Sequence, residues 1–271
     1  MKQELATILQ ELSTLNNSLE YEVKLSVKEV PLKFKQLTTK QFNDILGTLI
    51  VESNNTDTYE FNKRMCSILT ENYTQGDQSI EQINFFDYVR LVLETRKQCI
   101  SDNLNIVFSS DDIEKYDLST NYISISLTEH LAKVITEQIH PVDVTKNNII
   151  VTVGIPTIKK IVKLDKDLKP PTNETASDVI KKYFIKEIIK YIDSIVVGNN
   201  RIDFENTDVK DFIEVANNLP ASLVNEIISH IEKIKQNLNN ITYVSVNCKQ
   251  NSGETVSFNK ELIIDGNLFN F

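Results

Sequence analysis

The hydrophobic periodicity of the chain changes in blocks, and this feature constrains the fold more than any other. Apolar residues recur at helical spacing in some stretches and alternate with polar residues in others. The blocks follow the order helix, strands, helices, strands, helices, strands, without an internal repeat. Segregated runs of this kind predict an α+β fold, in which helices are mixed with antiparallel strand segments, and not a regular parallel β-α-β sheet.

Short alternating segments predict the strands. Residues 21–27 and 30–34 alternate apolar and polar side chains across a short turn, which is typical of a hairpin with one solvated face. A C-terminal hairpin is predicted from residues 241–248 and 254–258, which flank a turn containing Gly253. Further strands are predicted at residues 104–108, 122–127, 148–153 and 202–204.

Longer stretches with helical spacing predict the helices. Thr38 or Thr39 is suited to be the N-cap of the first of these helices, and Thr207 of a later one that reaches residue 217. Other helices are predicted at residues 59–72, 83–99, 176–195 and from Pro220 to residue 238. Residues 127–139 fit either a short helix or an extended connection.

The first nineteen residues form an amphipathic segment of their own. Its apolar residues follow helical spacing: Leu5, Ile8, Leu9, Leu12 and Leu15. Two interpretations remain open. The segment is either a helix that packs on the core of its own chain or an arm that docks on a neighbouring subunit.

A proline-containing linker suggests the division of the remainder. Residues 169–174 contain two consecutive prolines, which stiffen the chain and block a helix. We therefore expect an α+β domain over residues 20–168. A helical segment with the C-terminal hairpin, residues 174–271, is expected to pack on it.

Charge, cysteine content and hydropathy exclude several classes of protein. The 271 residues carry a net charge of −9, which disfavours broad binding to nucleic acid because that requires a basic face. Three distant cysteines, Cys66, Cys99 and Cys248, indicate a reducing compartment and no disulfide framework. No secretory signal and no long apolar run is present. We therefore expect a protein that is soluble and intracellular when made and is not inserted in a membrane.

The residues that most often carry chemistry are not arranged in known patterns. His130, His140 and His230 show no metal-ligand spacing. Residues 248–253 resemble half of a zinc knuckle, but Asn251 stands where the second cysteine would be needed.

Nucleophile and phosphate-binding motifs are absent as well. The acidic pairs Asp111–Asp112 and Asp165/Asp167 are expected to be solvated loop residues. Cys99 ends a helix, where the helix dipole raises a thiol pKa. The sequence therefore predicts no catalytic residue, no metal site, no cofactor and no small-molecule substrate.

The order of segments resembles the baseplate hub and hub-assembly protein family of T-even-like contractile-tailed phages. Each motif is short, and it is their order over about residues 20–271 that carries the resemblance. The matching segments are residues 30–42, the F-D-x-x-x-L-x-L-x-x-R-like helix at 86–96, 125–132, 149–156, Leu219-Pro-Ala-Ser, 243–248 and the ending 267–271. The chain departs from the family at the late Cys-x-x-Cys-Gly turn because it has Asn251, so a metal or thiol role there is not carried over.

The resemblance implies a non-enzymatic virion protein of the tail baseplate that binds other baseplate or tail proteins. Such work needs exposed surfaces, and the two ends of the chain offer apolar ones. The predicted partner-binding residues are Leu5, Leu9, Leu12, Leu268, Phe269 and Phe271. The alternative is that both ends pack on the core of this chain.

Three other functions remain open. The same family resemblance allows a chaperone-like assembly factor that is absent from the mature virion. A small cytosolic enzyme with an unrecognised site and an unrelated host interaction module belong to other classes. An enzyme should show a pocket with converging acids or histidines, whereas a structural subunit should show surfaces suited to neighbours.

Overall fold

A computed structural model of the chain describes residues 7–8, 10–12, 14–15, 18–26, 31–52, 59–75, 80–134, 140–167 and 186–269. Contacts group the chain into two compact units, each built from separate stretches of sequence. Unit 1 comprises Met1–Ile80, Val89–Thr136 and Asn240–Phe271, and unit 2 comprises Glu81–Tyr88 and Glu137–Asn239. These units differ from the contiguous division expected at residues 168–174, and the linker itself lies outside the described residues.

Helices and strands alternate in blocks along the chain. The strands are β1 (Glu20–Val23), β2 (Leu32–Lys35), β3 (Asn103–Val107), β4 (Tyr122–Ser126), β5 (Val142–Lys146), β6 (Ile149–Val153), β7 (Ile192–Val197), β8 (Asn200–Asp203), β9 (Tyr243–Lys249) and β10 (Thr255–Glu261). The labelled helices are α1 (Thr39–Glu52), α2 (Tyr59–Asn72), α3 (Phe85–Cys99), α4 (Ser110–Tyr116), α5 (Leu127–Lys133), α6 (Ile158–Asp167), α7 (Val209–Asn217) and α8 (Ala221–Thr242). Short 3-10 turns lie at Ile80–Gln82, Phe204–Asn206 and Gly266–Phe269. The α+β class with antiparallel strands is confirmed.

Unit 1 contains three separate antiparallel hairpins, β1–β2, β3–β4 and β9–β10. The first and last were predicted from the alternation of their side chains. In β1–β2 this alternation places Tyr21 opposite Phe34, and both side chains are buried, with ring centroids 5.9 Å apart. The positive φ of Gly253, 88°, allows the tight turn between β9 and β10.

Capping fixes where the helices of unit 1 begin. Thr38 Oγ1 accepts a hydrogen bond from Gln41 N at 3.2 Å, and Gln41 Oε1 accepts one from Thr38 N at 3.0 Å. This reciprocal pair is a capping box and confirms Thr38 as the N-cap of α1. Residues 127–133, for which two interpretations were open, are helical as α5, with Ser126 as N-cap.

The described core of unit 1 includes apolar side chains from α1, α2, α3 and the C-terminal turn. Its fully buried members include Ile45, Phe61, Met65, Leu69, Val89, Leu93 and Phe269. His130 is also buried, and its Nε2 lies 3.0 Å from the carbonyl oxygen of Ile241. Burial lowers the pKa of His130, since the charged imidazolium would lose its hydration.

Unit 2 is built on one antiparallel sheet with the strand order β5-β6-β7-β8. Two-residue turns close two of its hairpins. Asn147 and Asn148 both have positive φ, 46° and 58°, as a type I′ turn requires, and Gly198 has φ 59° at the first position of the β7–β8 turn. Val151 of β6, Leu164 of α6 and Phe212 of α7 are fully buried in this unit.

Several sequence-based expectations were wrong in detail. The helix expected over residues 176–195 does not extend to 195, because β7 occupies Ile192–Val197 and pairs with β6 and β8. Only residues 186–189 of that helix are described as helical, and 176–185 lie outside the described residues. β5 and α4 were not predicted, and the N-cap of α7 is Asp208, whose side chain accepts from Lys210 N, instead of Thr207.

Among the residues described, none of the helices combines the length and the apolar character that crossing a bilayer requires.

Candidate interaction surfaces

The acidic pairs expected in loops have structural roles. Asp165 is buried in α6 and pairs with Lys186, so it is not a solvated loop acid. Asp112 lies in the first turn of α4 and completes a capping box with Ser109. Within the part of the chain that the structure describes, no group of three or more His, Cys, Asp or Glu residues is arranged to hold a metal ion.

The β9–β10 turn, where the resembling family has a second cysteine, is attached to the C-terminal end of α4. Asn251 donates from Nδ2 to Asp117 Oδ1 at 2.7 Å, and its backbone N–H donates to Asp117 O at 2.9 Å. Gln250 Nε2 donates to Tyr116 O at 2.9 Å. Asn251 therefore serves to hold the hairpin tip against α4.

The C-terminal residues predicted to bind a partner pack on unit 1 itself. Leu268 is 4% exposed and Phe269 is 0% exposed, and the Phe269 ring lies 6.2 Å from the ring of Phe61 between centroids. These two residues therefore pack on the core of their own chain, which is the alternative to partner binding stated in the sequence analysis. Phe271 lies outside the described residues.

Arg96 ties this C-terminal turn to α3. Its side chain is buried, Nε donates to Leu268 O at 3.1 Å, and a terminal nitrogen donates to Ser101 O. Burial lowers the pKa of Arg96, and nearby Asp102 partly offsets that effect. A buried guanidinium is tolerated because its donors meet backbone carbonyls.

The N-terminal segment, in contrast, exposes its apolar residues. The residues described between 7 and 18 are helical, and Ile8, Leu12, Leu15 and Leu19 are between 41% and 56% exposed. We call these four residues the N-terminal stripe. Leu12 was predicted as a partner-binding residue, whereas Leu5 and Leu9 lie outside the described residues. Ile8, Leu12 and Leu15 lie on this helix, and Leu19 follows it directly before β1. Apolar residues on a solvent-exposed helix are a feature of segments that bind another surface.

A second exposed apolar surface surrounds a groove in unit 1, which we call the hairpin groove. Val107 and Tyr122 are cross-strand partners in β3–β4, and with Ile263, just after β10, they are 68%, 54% and 67% exposed. All three line one groove of about 570 Å³. Buried Leu104, Ile106, Leu262 and Leu268 form its apolar floor.

One wall of the hairpin groove is held by an ion pair. Lys260 in β10 contacts Asp112 of α4, and the groove is lined by Lys260. Two hydrogen bonds lower the pKa of Asp112 to about 2, and the one from Lys260 contributes more than the one from Ser109. The groove therefore has a fixed charged wall beside its apolar floor.

Replacing Asp112 with asparagine is expected to lower the free energy of unfolding by about 1 kcal/mol at neutral pH, because the ionic contact with Lys260 is lost. The pKa of Asp112 is lower in the folded state, so its stabilising effect is present above pH 3.8 and is lost as the pH falls towards about 2. Urea unfolding at stepwise lower pH should therefore show the two proteins converging.

The matched control for this prediction is Asp111→Asn. Asp111 is exposed, directly precedes Asp112 and lies in the same helix turn. Its replacement should change stability less and without convergence at low pH. A loss in Asp112→Asn that stays constant from pH 7 to below pH 3 would contradict the role assigned to the ion pair.

A cavity in unit 2 contains the most strongly buried lysine described. The cavity measures about 510 Å³, and Lys160 and Lys163 line it with Phe204. Lys160 Nζ lies 3.0 Å from Asp193 Oδ1, contacts Ile192 O and sits 4.7 Å from the Phe204 ring centroid. Lys163 Nζ donates to Thr207 O at 3.0 Å.

These contacts give the two lysines a structural use. Burial lowers the pKa of Lys160, and the carboxylate of Asp193 counteracts this. Lys160 donates to Ile192 O of β7, whereas Lys163 donates to Phe204 O and Thr207 O at the Phe204–Asn206 turn. These contacts hold α6 to β7 and to the Phe204–Asn206 turn.

The hairpin groove was missed in the sequence because its parts are distant. Val107, Tyr122 and Ile263 were read as ordinary strand or tail residues, and their separation in sequence hides their common location. The available signal was that Val107 and Tyr122 occupy the outward positions of two alternating strands.

Comparison with known proteins gives one family match. The model of a family described as T4 bacteriophage base plate protein matches residues 18–260, which is most of the chain. Neither the curated proteins nor the solved structures contain a significant match. The matched range includes most of the hairpin groove residues and begins after most of the N-terminal stripe.

Proposed function

The chain belongs to the T4 bacteriophage base plate protein family, and from this premise we propose that it is a non-enzymatic structural subunit of the tail baseplate hub that binds neighbouring subunits. It is made in the host cytoplasm and retained in the virion. Its partners are other baseplate or tail proteins, and it requires no cofactor, nucleic acid, membrane or small-molecule substrate.

The observation that carries the proposal is the hairpin groove. Three large apolar side chains, Val107, Tyr122 and Ile263, face solvent around one concave surface. Exposed apolar groups gathered at one place favour a protein partner, since burying them releases ordered water. Lys260, which lines the groove and is held by its ion pair with Asp112, gives the surface polarity that can orient a partner.

The N-terminal stripe is proposed as a second contact. Leu12 lies at its centre and is 49% exposed. Leu5 and Leu9 are proposed to belong to the same contact because of their spacing in the sequence. Leu268 and Phe269 are left out, since both are buried in unit 1.

A structural role is also supported by the hydrogen bonds that the buried titratable side chains make. Groups with shifted pKa in enzymes usually converge on a substrate pocket. Here His130 and Lys160 each contact a backbone carbonyl, and Arg96 contacts two. Each of these groups thus joins segments of its own unit.

The test is incorporation of the variant Ile263→Asp into phage particles. A carboxylate buried without a partner in an interface weakens binding by at least about tenfold. We expect the ratio of this chain to a known tail protein, measured by quantitative mass spectrometry of purified particles, to fall accordingly. Circular dichroism of the isolated variant should be unchanged because Ile263 is exposed.

Val142→Asp is the matched control, because Val142 is a 44% exposed apolar residue of unit 2 that does not line the groove. It should be incorporated like the natural chain. Normal incorporation of Ile263→Asp would exclude the hairpin groove as an interface. If the natural chain were absent from particles but present in infected-cell lysate, the proposal of a structural subunit would be wrong and the chain would be an assembly factor.

A further inference from the structure

The outer edge of β5 in unit 2 carries backbone groups that the sheet does not use. β5 joins β6 through a two-residue turn, and in a turn of that type the closing residues, here Lys146 and Ile149, exchange hydrogen bonds. Hydrogen-bonded pairs alternate with non-bonded pairs along an antiparallel ladder. The N–H and C=O groups of Asp143 and Thr145 therefore point away from β6, towards the free edge.

This free edge is accessible to another strand. Within the residues that the structure describes, no hydrogen bond reaches the N–H or C=O of Asp143 or Thr145, and both residues are exposed. The opposite edge of the sheet differs, because Thr207 Oγ1 donates to Asp203 O of β8 at 2.8 Å. An exposed strand edge with unpaired backbone groups is a template for a further strand.

We propose that β5 pairs with β5 of a second copy of this chain, so that the two four-stranded sheets become one continuous sheet. A closed pair of identical chains has a two-fold axis, and a two-fold axis perpendicular to the sheet makes the two β5 strands antiparallel. The contact goes beyond the proposed function, because it lies in unit 2, whereas the hairpin groove belongs to unit 1.

The sequence of β5 selects the register of this pairing. With Val144 opposite Val144 of the other copy, Asp143 lies opposite Thr145, and each such pair exchanges two backbone hydrogen bonds. Centring on Asp143 would place two carboxylates opposite each other and Thr145 opposite Pro141, which has no N–H. Centring on Thr145 would place Asp143 opposite Asn147, a turn residue with φ 46°. Centring between two residues would place outward groups opposite inward ones.

The side chains also suit the register centred on Val144. Asp143 Oδ1 accepts a hydrogen bond from Thr152 Oγ1 at 2.8 Å, and Thr145 of the other copy would bring a second hydroxyl donor beside this carboxylate. Val142, which is 44% exposed, would lie opposite Lys146, whose aliphatic stem can cover it. The register therefore places no like charges directly opposite each other within β5.

The association is expected to be weak in the isolated chain. β5 has five residues, and pairing two such strands buries much less than the roughly 1,200 Å² of a stable interface. We expect a dissociation constant of roughly 10 µM to 1 mM. In an assembly, other contacts would hold two copies close together, and an effective concentration of about millimolar would then be sufficient to join the sheets.

The first experiment measures self-association of the purified full chain by sedimentation equilibrium between about 10 µM and 1 mM. Thr145→Asp places a carboxylate opposite Asp143 at both symmetric contacts and should raise the dissociation constant about fivefold, whereas Thr145→Lys should lower it about fivefold. Asn200→Asp and Asn200→Lys are the matched controls, since Asn200 is exposed in β8 at the opposite edge of the sheet. Both should associate like the natural chain.

The second experiment follows the backbone groups directly by NMR hydrogen exchange of the natural chain. The amides of Asp143 and Thr145 should exchange more slowly as the concentration rises, because each becomes bonded to the other copy. The amide of Arg201 in β8 should exchange at a constant rate. Equal slowing at Arg201, or constant exchange at Asp143 and Thr145 in a chain that associates, would place the contact away from β5.

A natural chain that is monomeric at about 1 mM would overturn the proposal. Weakening by both Thr145→Asp and Thr145→Lys would exclude the register centred on Val144, and no effect of either would exclude β5 as the interface. Ile263→Asp should associate like the natural chain, and Val142→Asp should not associate more weakly, because its carboxylate would lie opposite Lys146. Failure of this pairing can therefore be distinguished from failure of the hairpin groove as an interface.

Discussion

Phe269→Ala is expected to lower the free energy of unfolding by about 3–5 kcal/mol, the usual cost of removing a fully buried phenylalanine ring. Phe269 is 0% exposed and its ring packs with that of Phe61 in unit 1. The replacement leaves a cavity between the C-terminal turn and α1–α2. Urea unfolding of the purified chain, followed by circular dichroism and fluorescence, measures the change.

The matched control is Ile263→Ala, six residues earlier. Ile263 is 67% exposed, and its truncation should change stability by less than about 0.5 kcal/mol. If Phe269→Ala behaved like this control, the ring would not be part of the core in solution. The C-terminal aromatic residues would then again be candidates for a partner surface.

Arg96→Met is expected to lower the free energy of unfolding by about 2–4 kcal/mol. Methionine fills a similar space but donates no hydrogen bond, so the carbonyl oxygens of Leu268 and Ser101 both lose the guanidinium. Leaving the carbonyl of buried Leu268 unpaired costs about 1–3 kcal/mol, and losing the contact with exposed Ser101 adds a smaller amount. Urea unfolding gives the size of the effect, and faster amide hydrogen exchange in residues 266–269 would locate it at the C-terminal turn.

Lys97→Met is the control for charge removal from the same helix. Lys97 forms an ion pair with Glu94 one turn earlier, and such pairs contribute about 0–1 kcal/mol. Equal losses in the two variants would show that charge, and not the carbonyl contacts, is responsible. The double variant Arg96→Met/Phe269→Ala should lose less than the sum of the single losses, because both residues hold the same turn.

The sequence allowed prediction of those elements whose pattern is local. The β1–β2 and β9–β10 hairpins and helix α2 have a single periodicity and clear turns, so their positions were predicted closely. β7 was mistaken for the end of a helix because residues 188–197 are rich in apolar side chains, with only Lys190, Asp193 and Ser194 between them. Such a run fits a buried helix or a buried strand equally well.

Turn residues next to β7 held the missing information. Gly198 follows the strand directly, and Asn147 and Asn148 form the corresponding turn between β5 and β6. Glycine or asparagine pairs with positive φ are strong hairpin signals. Read together with the alternation of β6, they would have indicated the four-stranded sheet.

The interaction surfaces could be predicted only in part. Exposure of Leu12 agrees with the amphipathic pattern of its own segment, which is local information. Burial of Leu268 and Phe269 depends on Phe61 and Arg96, which are distant in sequence, so apolar character alone did not distinguish a core residue from an interface residue. The hairpin groove likewise exists only after three separated segments have come together.

The interrupted layout of unit 1 determines the order in which the nascent chain can mature. Residues 240–269, which supply β9, β10 and Phe269, are synthesised after the whole of unit 2. During synthesis, the apolar faces of α1 and α2 therefore remain uncovered until residues 240–269 have been made, although the sequence of unit 2 is already complete. Molecules whose synthesis stops shortly before residue 240 would carry that open face permanently, and they would be substrates for chaperones and proteases instead of subunits for assembly.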